Sequence, residues 1–236
     1  EMVATFTKTE VEPQAHEYDK KEEFNLPLFR KLGELGLLGI TADEEFGGSG
    51  MDAVSAVIAH EELSYSDPGF CLAYLAHSML AVNNINVNAN QEQKEKYLPK
   101  LCSGEWVGAM AMSEPHVGTD VLGMSTTAVK EGDHYILNGQ KMWITNGAID
   151  EQGTAADVML VYAKTGEKNG RAMISTFLVE KGMPGYSVGQ KIQDKLGMRG
   201  SNTAEIVFEN CKVPVANLIG EEGDSMLHMM KNLEIE

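Results

Sequence analysis

Two short segments of this chain carry side chains that could hold a flat, hydrogen-bonding ring. The first is MSEPHVGTD, residues 112–120. It offers two hydroxyls, Ser113 and Thr119, and a glycine, Gly118, that lets backbone N–H groups come close to a ligand. The second is KMWITNG, residues 141–147, in which Trp143 and Thr145 stand two residues apart. Side chains two apart on a strand share a face, so an indole and a hydroxyl would flank one aromatic ring system. Flavins need such groups: donors for ring N5 and the pyrimidine edge, and further donors for the pyrophosphate. Taken singly, each segment also has a plainer reading. The first reads as a polar turn and the second as a strand with a core tryptophan.

Other chemistry has less support. GGSGMDA places Gly48, Gly50 and Ala53 in a GxGxxA spacing. A dinucleotide fingerprint of that kind follows a buried strand inside a βαβ unit. The flanks here have helical patterns, so the segment reads as a glycine-rich loop. HEEL, residues 60–63, lacks the second histidine of a zinc helix, and the six histidines are scattered. There is no GxSxG and no nucleophile–base pair. Cys71, Cys102 and Cys211 are far apart and form no CxxC. That fits a reducing compartment and argues against a disulfide scaffold or zinc.

These segments need elements to position them. Apolar residues at Leu28, Phe29, Leu32 and Leu35 predict one helix face, with Asn25 as cap, Pro27 in the first turn and Gly39 as stop. A second helix over MDAVSAVIAHEELS is expected to turn Val54, Val57, Ile58 and Leu63 inward. FCLAYLAHSMLAVNNI is apolar enough for a buried helix, and Asn90 with Gln93 resembles a capping box. Past GEWVGAMAM the pattern changes to short runs bounded by turn residues. Turns are expected at 131–133 and at Asn138–Gly139, with further strands in DVMLVYAKT, ISTFLVEK, YSVGQKI and TAEIVFENCKVP. The fold class is therefore α+β: an all-α domain at 1–107, a middle domain of short antiparallel strands at 108–222, and at 223–236 the first helix of an incomplete helical domain. That last helix is expected to bury Met226, Met229, Met230 and Leu233 against a part not present here.

Composition sets limits. A net charge of −16 repels phosphate backbones, so no nucleic acid is expected. No apolar run approaches the roughly 20 residues that a membrane-spanning helix needs. The first residue is Glu1, so the N-terminus is expected to be processed or trimmed.

The segments MSEPHVGTD, KMWITNG, KLGMRGSNT and VFENCKVPVANLIGEEG occur in that order. With GELGLLGITADEEFGGSG and NQEQKEKYLPKL before them, they resemble the acyl-CoA dehydrogenase family over nearly the whole chain. HYILNGQKMWITNG and VEKGMPG are similar to the branch of that family acting on isovaleryl-type acyl-CoA. The resemblance implies a helical domain, a β domain and a C-terminal four-helix bundle, a homotetramer, and FAD. It implies an acyl-CoA substrate and an electron-transfer flavoprotein as partner. The location would be the mitochondrial matrix in a eukaryote and the cytoplasm in a bacterium. By the same resemblance Met110, Ala111, Met112, Ser113, Gly118 and Thr119 form one wall of the flavin site. Trp143, Ile144 and Thr145 form the other, with Thr145 near N5. Thr119, Leu227, Glu234 and Ile235 would border the substrate.

The closing LEIE resembles the family pattern that carries the catalytic base on this helix, which places the base at Glu236. The reaction implied is α,β-dehydrogenation of a short branched acyl-CoA to the 2,3-enoyl-CoA. Straight short or medium acyl chains are an alternative. A catalytically silent scaffold or assembly subunit is another. Residues 1–236 alone are expected to be inactive. The sequence departs from relatives at His116–Val117 in the flavin loop and at Ser225, Met226 and Leu227 beside the expected substrate position.

Overall fold

The computed structural model describes residues 1–233. Glu234, Ile235 and Glu236 lie outside the described residues. The chain opens with helices α1 (Met2–Phe6) and α2 (Glu12–Lys21), joined by a π-helical turn. Helix α3 (Leu26–Glu34) starts where Asn25 Oδ1 accepts a hydrogen bond from Leu28 N at 3.1 Å, with Pro27 in the first turn. It ends earlier than expected. Gly36, at φ 73°, lies just past its end, and Gly39 has another task. A Cβ on Gly39 would stand 2.4 Å from Cys102 Sγ, so the glycine permits close packing against a later helix.

Helix α4 (Ala53–Ser66) is capped by Asp52. It buries Ala56, Ala59 and Leu63, while Val54, Val57 and Ile58 are exposed. This corrects the expected inward face. Alanines let α4 close onto its neighbour α5 (Pro68–Leu75), and the branched residues are left outside. Helix α5 runs on through a π-helical stretch, Ala76–Asn83, into α6 (Asn84–Asn88), and this spine is largely buried, as its apolar sequence predicts. Helix α7 (Gln91–Cys102) carries the full Asn90–Gln93 capping box.

Eight strands follow: β1 (Gly108–Ala111), β2 (Thr127–Glu131), β3 (His134–Thr145), β4 (Val158–Lys168), β5 (Arg171–Glu180), β6 (Tyr186–Ile192), β7 (Thr203–Pro214) and β8 (Leu218–Ile219). They form one sheet in the order β6-β7-β3-β2-β4-β5-β8, with β1 pairing parallel to β4. The sheet is mostly antiparallel but not wholly so, and four of its strands run ten to twelve residues. Gly132, at φ 64°, turns the chain between β2 and β3. Asn138–Gly139 is not a turn. It lies within the continuous strand β3, opposite a bulge whose extra residue is on β7 at Glu209–Asn210, and a Cβ on Gly139 would meet Thr126 Oγ1 at 2.4 Å.

The helical layer is locked to the sheet through His77, which is fully buried. Its Nδ1 accepts from Gly108 N at 2.9 Å, so Nε2 carries the proton and donates to Leu101 O at 3.1 Å. One imidazole thus joins the central spine, the end of α7 and the first strand. Helix α8 (Ser225–Leu233) docks by polar contacts: Ser225 Oγ to Thr176 Oγ1 at 2.7 Å, and Asn83 Nδ2 to Asn232 Oδ1 at 3.2 Å. Its buried face is Ser225, His228, Met229 and Asn232. Met229 also packs against Met124, Tyr162 and Ile174, while Met226 and Met230, expected to be covered by a part not present here, are exposed.

Candidate functional site

Strand β1 leads straight into the segment 112–120. Ala111, at its end, is sealed in the core, and Met110 is half-buried. Met112 and Ser113 are half-buried, while His116, Gly118 and Thr119 reach solvent. Backbone bonds run both ways between Glu114 and Val117, at 2.9 and 3.1 Å, so Pro115 and His116 form the tip of a tight turn. An added Cβ at Gly118 would meet nothing within 4 Å, so this glycine borders open space.

The second segment closes β3. Its register slips against β7 between Lys141 and Ile144, and the extra residue falls at Trp143. Trp143 takes φ 61°, a conformation that an aromatic residue adopts at a cost, and leaves its ring 56% exposed. A bulge, rather than plain strand alternation, turns the indole outward. Ile144 points into the core and Thr145 is half-buried. Of the expected wall residues, Ala111 and Ile144 therefore have only their backbones to offer a ligand. Asn146, also at φ 61°, ties the end of the strand to the helices through Nδ2 to Ala73 O at 2.9 Å.

The two segments meet directly. Met142 N donates to Ser113 O at 3.0 Å. Beneath that bond, Lys141 and Glu114 form a buried ion pair at 2.9 Å. Lys141 Nζ also donates to Met112 O at 2.9 Å. The Glu114 carboxylate accepts from Ser125 N and Oγ, both at 2.7 Å, and from Thr126 N at 3.0 Å. Burial would raise the Glu114 carboxyl, but the Thr126 and Ser125 hydrogen bonds and the Lys141 charge outweigh it and hold it down at about 2. Burial pulls the Lys141 ammonium down, against the opposing pull of Glu114. Neither residue was singled out from the sequence. A signal was present: strand alternation from Tyr135 and Leu137 carries Lys141 to the inner face.

Among the described residues, no hydrogen bond engages the hydroxyls of Ser113, Thr119 or Thr145. Ser113 lies at the Met142 junction, and the exposed indole of Trp143 follows one residue on. The arrangement suits a planar heteroaromatic ring with hydrogen-bonding edges. A separate apolar cavity of about 540 Å³ lies between α4 and α5, lined by Val57, His60, Leu72, Leu75, Met79 and Met198. Met79 belongs to the same packed cluster as Ala111 and Ile144. His60 Nδ1 lies 2.6 Å from Ala56 O, and its other ring nitrogen has no partner among the described residues. Leu227 is exposed on α8.

Two family models match: "Acyl-CoA dehydrogenase, N-terminal domain" over residues 1–105 and "Acyl-CoA dehydrogenase, middle domain" over 109–211. The chain belongs to the acyl-CoA dehydrogenase family. It is 50% identical to mitochondrial isovaleryl-CoA dehydrogenase of Pongo abelii and 48% identical to that of Arabidopsis thaliana, with 100% of the chain aligned in each case. It spans only 55% and 56% of those two proteins. Among solved structures, butyryl-CoA dehydrogenase from Megasphaera elsdenii aligns with TM-score 0.89 at 36% identity, over 99% of this chain and 60% of that one. Acyl-CoA dehydrogenase complexed with FAD from Bacillus anthracis aligns with TM-score 0.87 at 38% identity, over 99% of this chain and 39% of that one. A chain from a structure described as the electron transferring flavoprotein of Acidaminococcus fermentans aligns with TM-score 0.90 at 41% identity, over 99% of this chain and 60% of that one. Members of the family are oxidoreductases, and the helical layer, sheet and final helix follow its fold.

Proposed function

We propose that this chain is the flavin-binding part of an FAD-dependent dehydrogenase that converts a short branched acyl-CoA of the isovaleryl type to the 2,3-enoyl-CoA. The observation that carries the reading is the junction of the two segments. The Met142–Ser113 backbone bond brings Ser113 against the strand that carries Thr145 and Trp143, the latter held at positive φ with its indole exposed. FAD fits that set of donors, and Gly118, with open space where a Cβ would stand, lets backbone approach it. Ser113, Thr119 and Thr145 would supply hydroxyl donors, and Trp143 a wall for the ring. When bound, FAD supplies the acceptor for the two electrons the substrate loses.

Glu236 is assigned the base that removes the substrate α proton. The assignment rests on the resemblance of the closing LEIE to the family pattern that carries the base. Closing the site removes water, which raises a carboxylate toward the range in which it can accept that proton. Glu234, Ile235, Leu227 and Thr119 are assigned to the substrate border. The acyl group is assigned to short branched chains because both isovaleryl-CoA dehydrogenases match this chain at about half identity over all of it. The same reading carries an electron-transfer flavoprotein as electron acceptor, a homotetramer, and the mitochondrial matrix as location in a eukaryote.

A second reading keeps the chemistry and takes straight short chains. The departure at Ser225–Leu227 and the close fit to butyryl-CoA dehydrogenase favour it. Anaerobic bleaching of the flavin in the full-length protein separates the two. Rapid bleaching by isovaleryl-CoA, lost in Glu236→Gln, supports the branched substrate and the base. Faster bleaching by butyryl-CoA supports the straight-chain reading. A bound flavin bleached by neither points to a silent assembly subunit.

A further inference from the structure

We propose that the buried Glu114–Lys141 pair is a positioning clamp that fixes the two cofactor-facing segments against each other. The inference rests on the flavin reading above and goes beyond it, because neither side chain belongs to the rim that a ligand would touch. Lys141 Nζ lies 2.9 Å from both Met112 O and Glu114 Oε1. The Glu114 carboxylate in turn gathers Ser125 N, Ser125 Oγ and Thr126 N. One ion pair therefore ties together the exit of β1, the loop carrying Ser113 and Thr119, the return of that loop, and strand β3. It sits one residue before Met142, whose N–H makes the single backbone bond from β3 to Ser113.

Stability alone does not account for the pair. Two charges taken out of water cost more than an apolar pair of the same size, and replacing such a pair by hydrophobic side chains is often neutral or stabilising. What the pair supplies is direction. A lysine with three donors and a carboxylate with two oxygens accept only one arrangement of the segments around them. The strained conformation at Trp143 needs that rigidity. A residue at positive φ persists only where its neighbours over-determine it. Here the neighbours are Lys141 on one side and the core residue Ile144 on the other. Without the clamp, Trp143 can relax to an ordinary strand conformation and the loop hydroxyls lose their register with Thr145.

The test uses the full-length protein. Lys141→Met alone strands a buried carboxylate and can fail to fold, so the informative variant is Glu114→Gln with Lys141→Met. Three quantities are read: the thermal midpoint of the apoprotein, the Kd for FAD, and the visible spectrum of the bound flavin. The double variant strips Met112 O of its donor and sets a side-chain amide against a Ser125 or Thr126 N–H, so the clamp predicts a cooperative apoprotein transition lowered by only about 5 °C. It also predicts an FAD Kd raised about tenfold or more and an altered flavin band shape. Unchanged affinity and spectrum in the double variant overturn the clamp and leave the flavin reading intact. A large drop in the apoprotein midpoint that accompanies the lost affinity also overturns it, since the pair would then only hold the fold. A wild-type protein that binds no FAD overturns the flavin reading itself, and the clamp with it.

Discussion

Trp143 is held at φ 61° with most of its ring in solvent. A residue in that region costs on the order of 1–3 kcal/mol, and the exposed indole recovers little of it by burial. Asparagine tolerates the left-handed region far better. Trp143→Asn should therefore unfold at no lower denaturant concentration than wild type, while FAD affinity falls about tenfold or more. A variant that loses stability and keeps its affinity would make Trp143 a structural residue. His77 makes a different prediction. Burial pushes its imidazole down to about 4, against the pull of the Leu101 carbonyl. The unfolded chain takes up that proton near its ordinary value of 6.5, so between 6.5 and 4 the unfolded state binds more protons than the native one. Stability is then full above 6.5 and falls by about 3 kcal/mol as the pH drops to 4. NMR titration checks this directly: a His77 imidazole with a midpoint near 6.5 in the native state refutes it. At this scale the sequence marks residue types, and the structure shows only where they lie. The hydroxyls, Gly118 and Trp143 stood out by type. Glu114 and Lys141 did not, because a charged residue in a polar-looking segment reads as surface until the strand register is known. The outward turn of Trp143 depends on a bulge that no periodicity announces.

At the scale of elements, caps and turns with local chemistry were legible, and packing choices were not. Asn25 and the Asn90–Gln93 box cap helices as their types dictate, and β6 and β7 occupy the expected residues. Helix α4 shows the limit. Its branched residues suggested an inward face, yet small side chains win where two helices pack closely, and only the neighbour α5 decides that. Asn138–Gly139 misled for a similar reason. The pair favours a hairpin turn, but β7 lies alongside, takes the register slip in its own bulge and keeps β3 extended. Gln93 joins local to distant order. Besides closing the capping box, its Nε2 donates to Ala216 O and Leu218 O, both at 2.8 Å, and so pins α7 to the start of β8. Asn90→Ala removes one cap and should cost about 1 kcal/mol. Gln93→Ala also strips two carbonyls of their donor and should cost more, roughly 2–4 kcal/mol. Urea denaturation of both variants checks the order. Equal losses would mean that the contacts to Ala216 and Leu218 add nothing.

At the scale of the molecule, the surface is uneven. Val54, Val57 and Ile58 project from α4 beside the apolar cavity, and Met226, Leu227 and Met230 project from α8. Soluble monomers rarely leave large contiguous apolar areas in water. Relatives extend well past the length aligned here, since the chain spans 55% of the Pongo abelii protein. The residues proposed to face a cofactor also come from one side, the loop at 112–120 and β3, with Thr119 and Gly118 open to solvent. A ring held on one side remains in contact with water, which competes for every hydroxyl donor and weakens each hydrogen bond. Residues 1–236 produced as a separate chain should therefore bind the dye ANS strongly and retain little or no FAD. The full-length protein should bind FAD in equal proportion and take up little dye. The comparison is made at matched concentration, with light scattering to separate dye bound to folded monomer from dye bound to aggregate. Stoichiometric yellow protein from residues 1–236 alone would show that the two walls suffice, and the apolar faces would then need an explanation other than completion of the site.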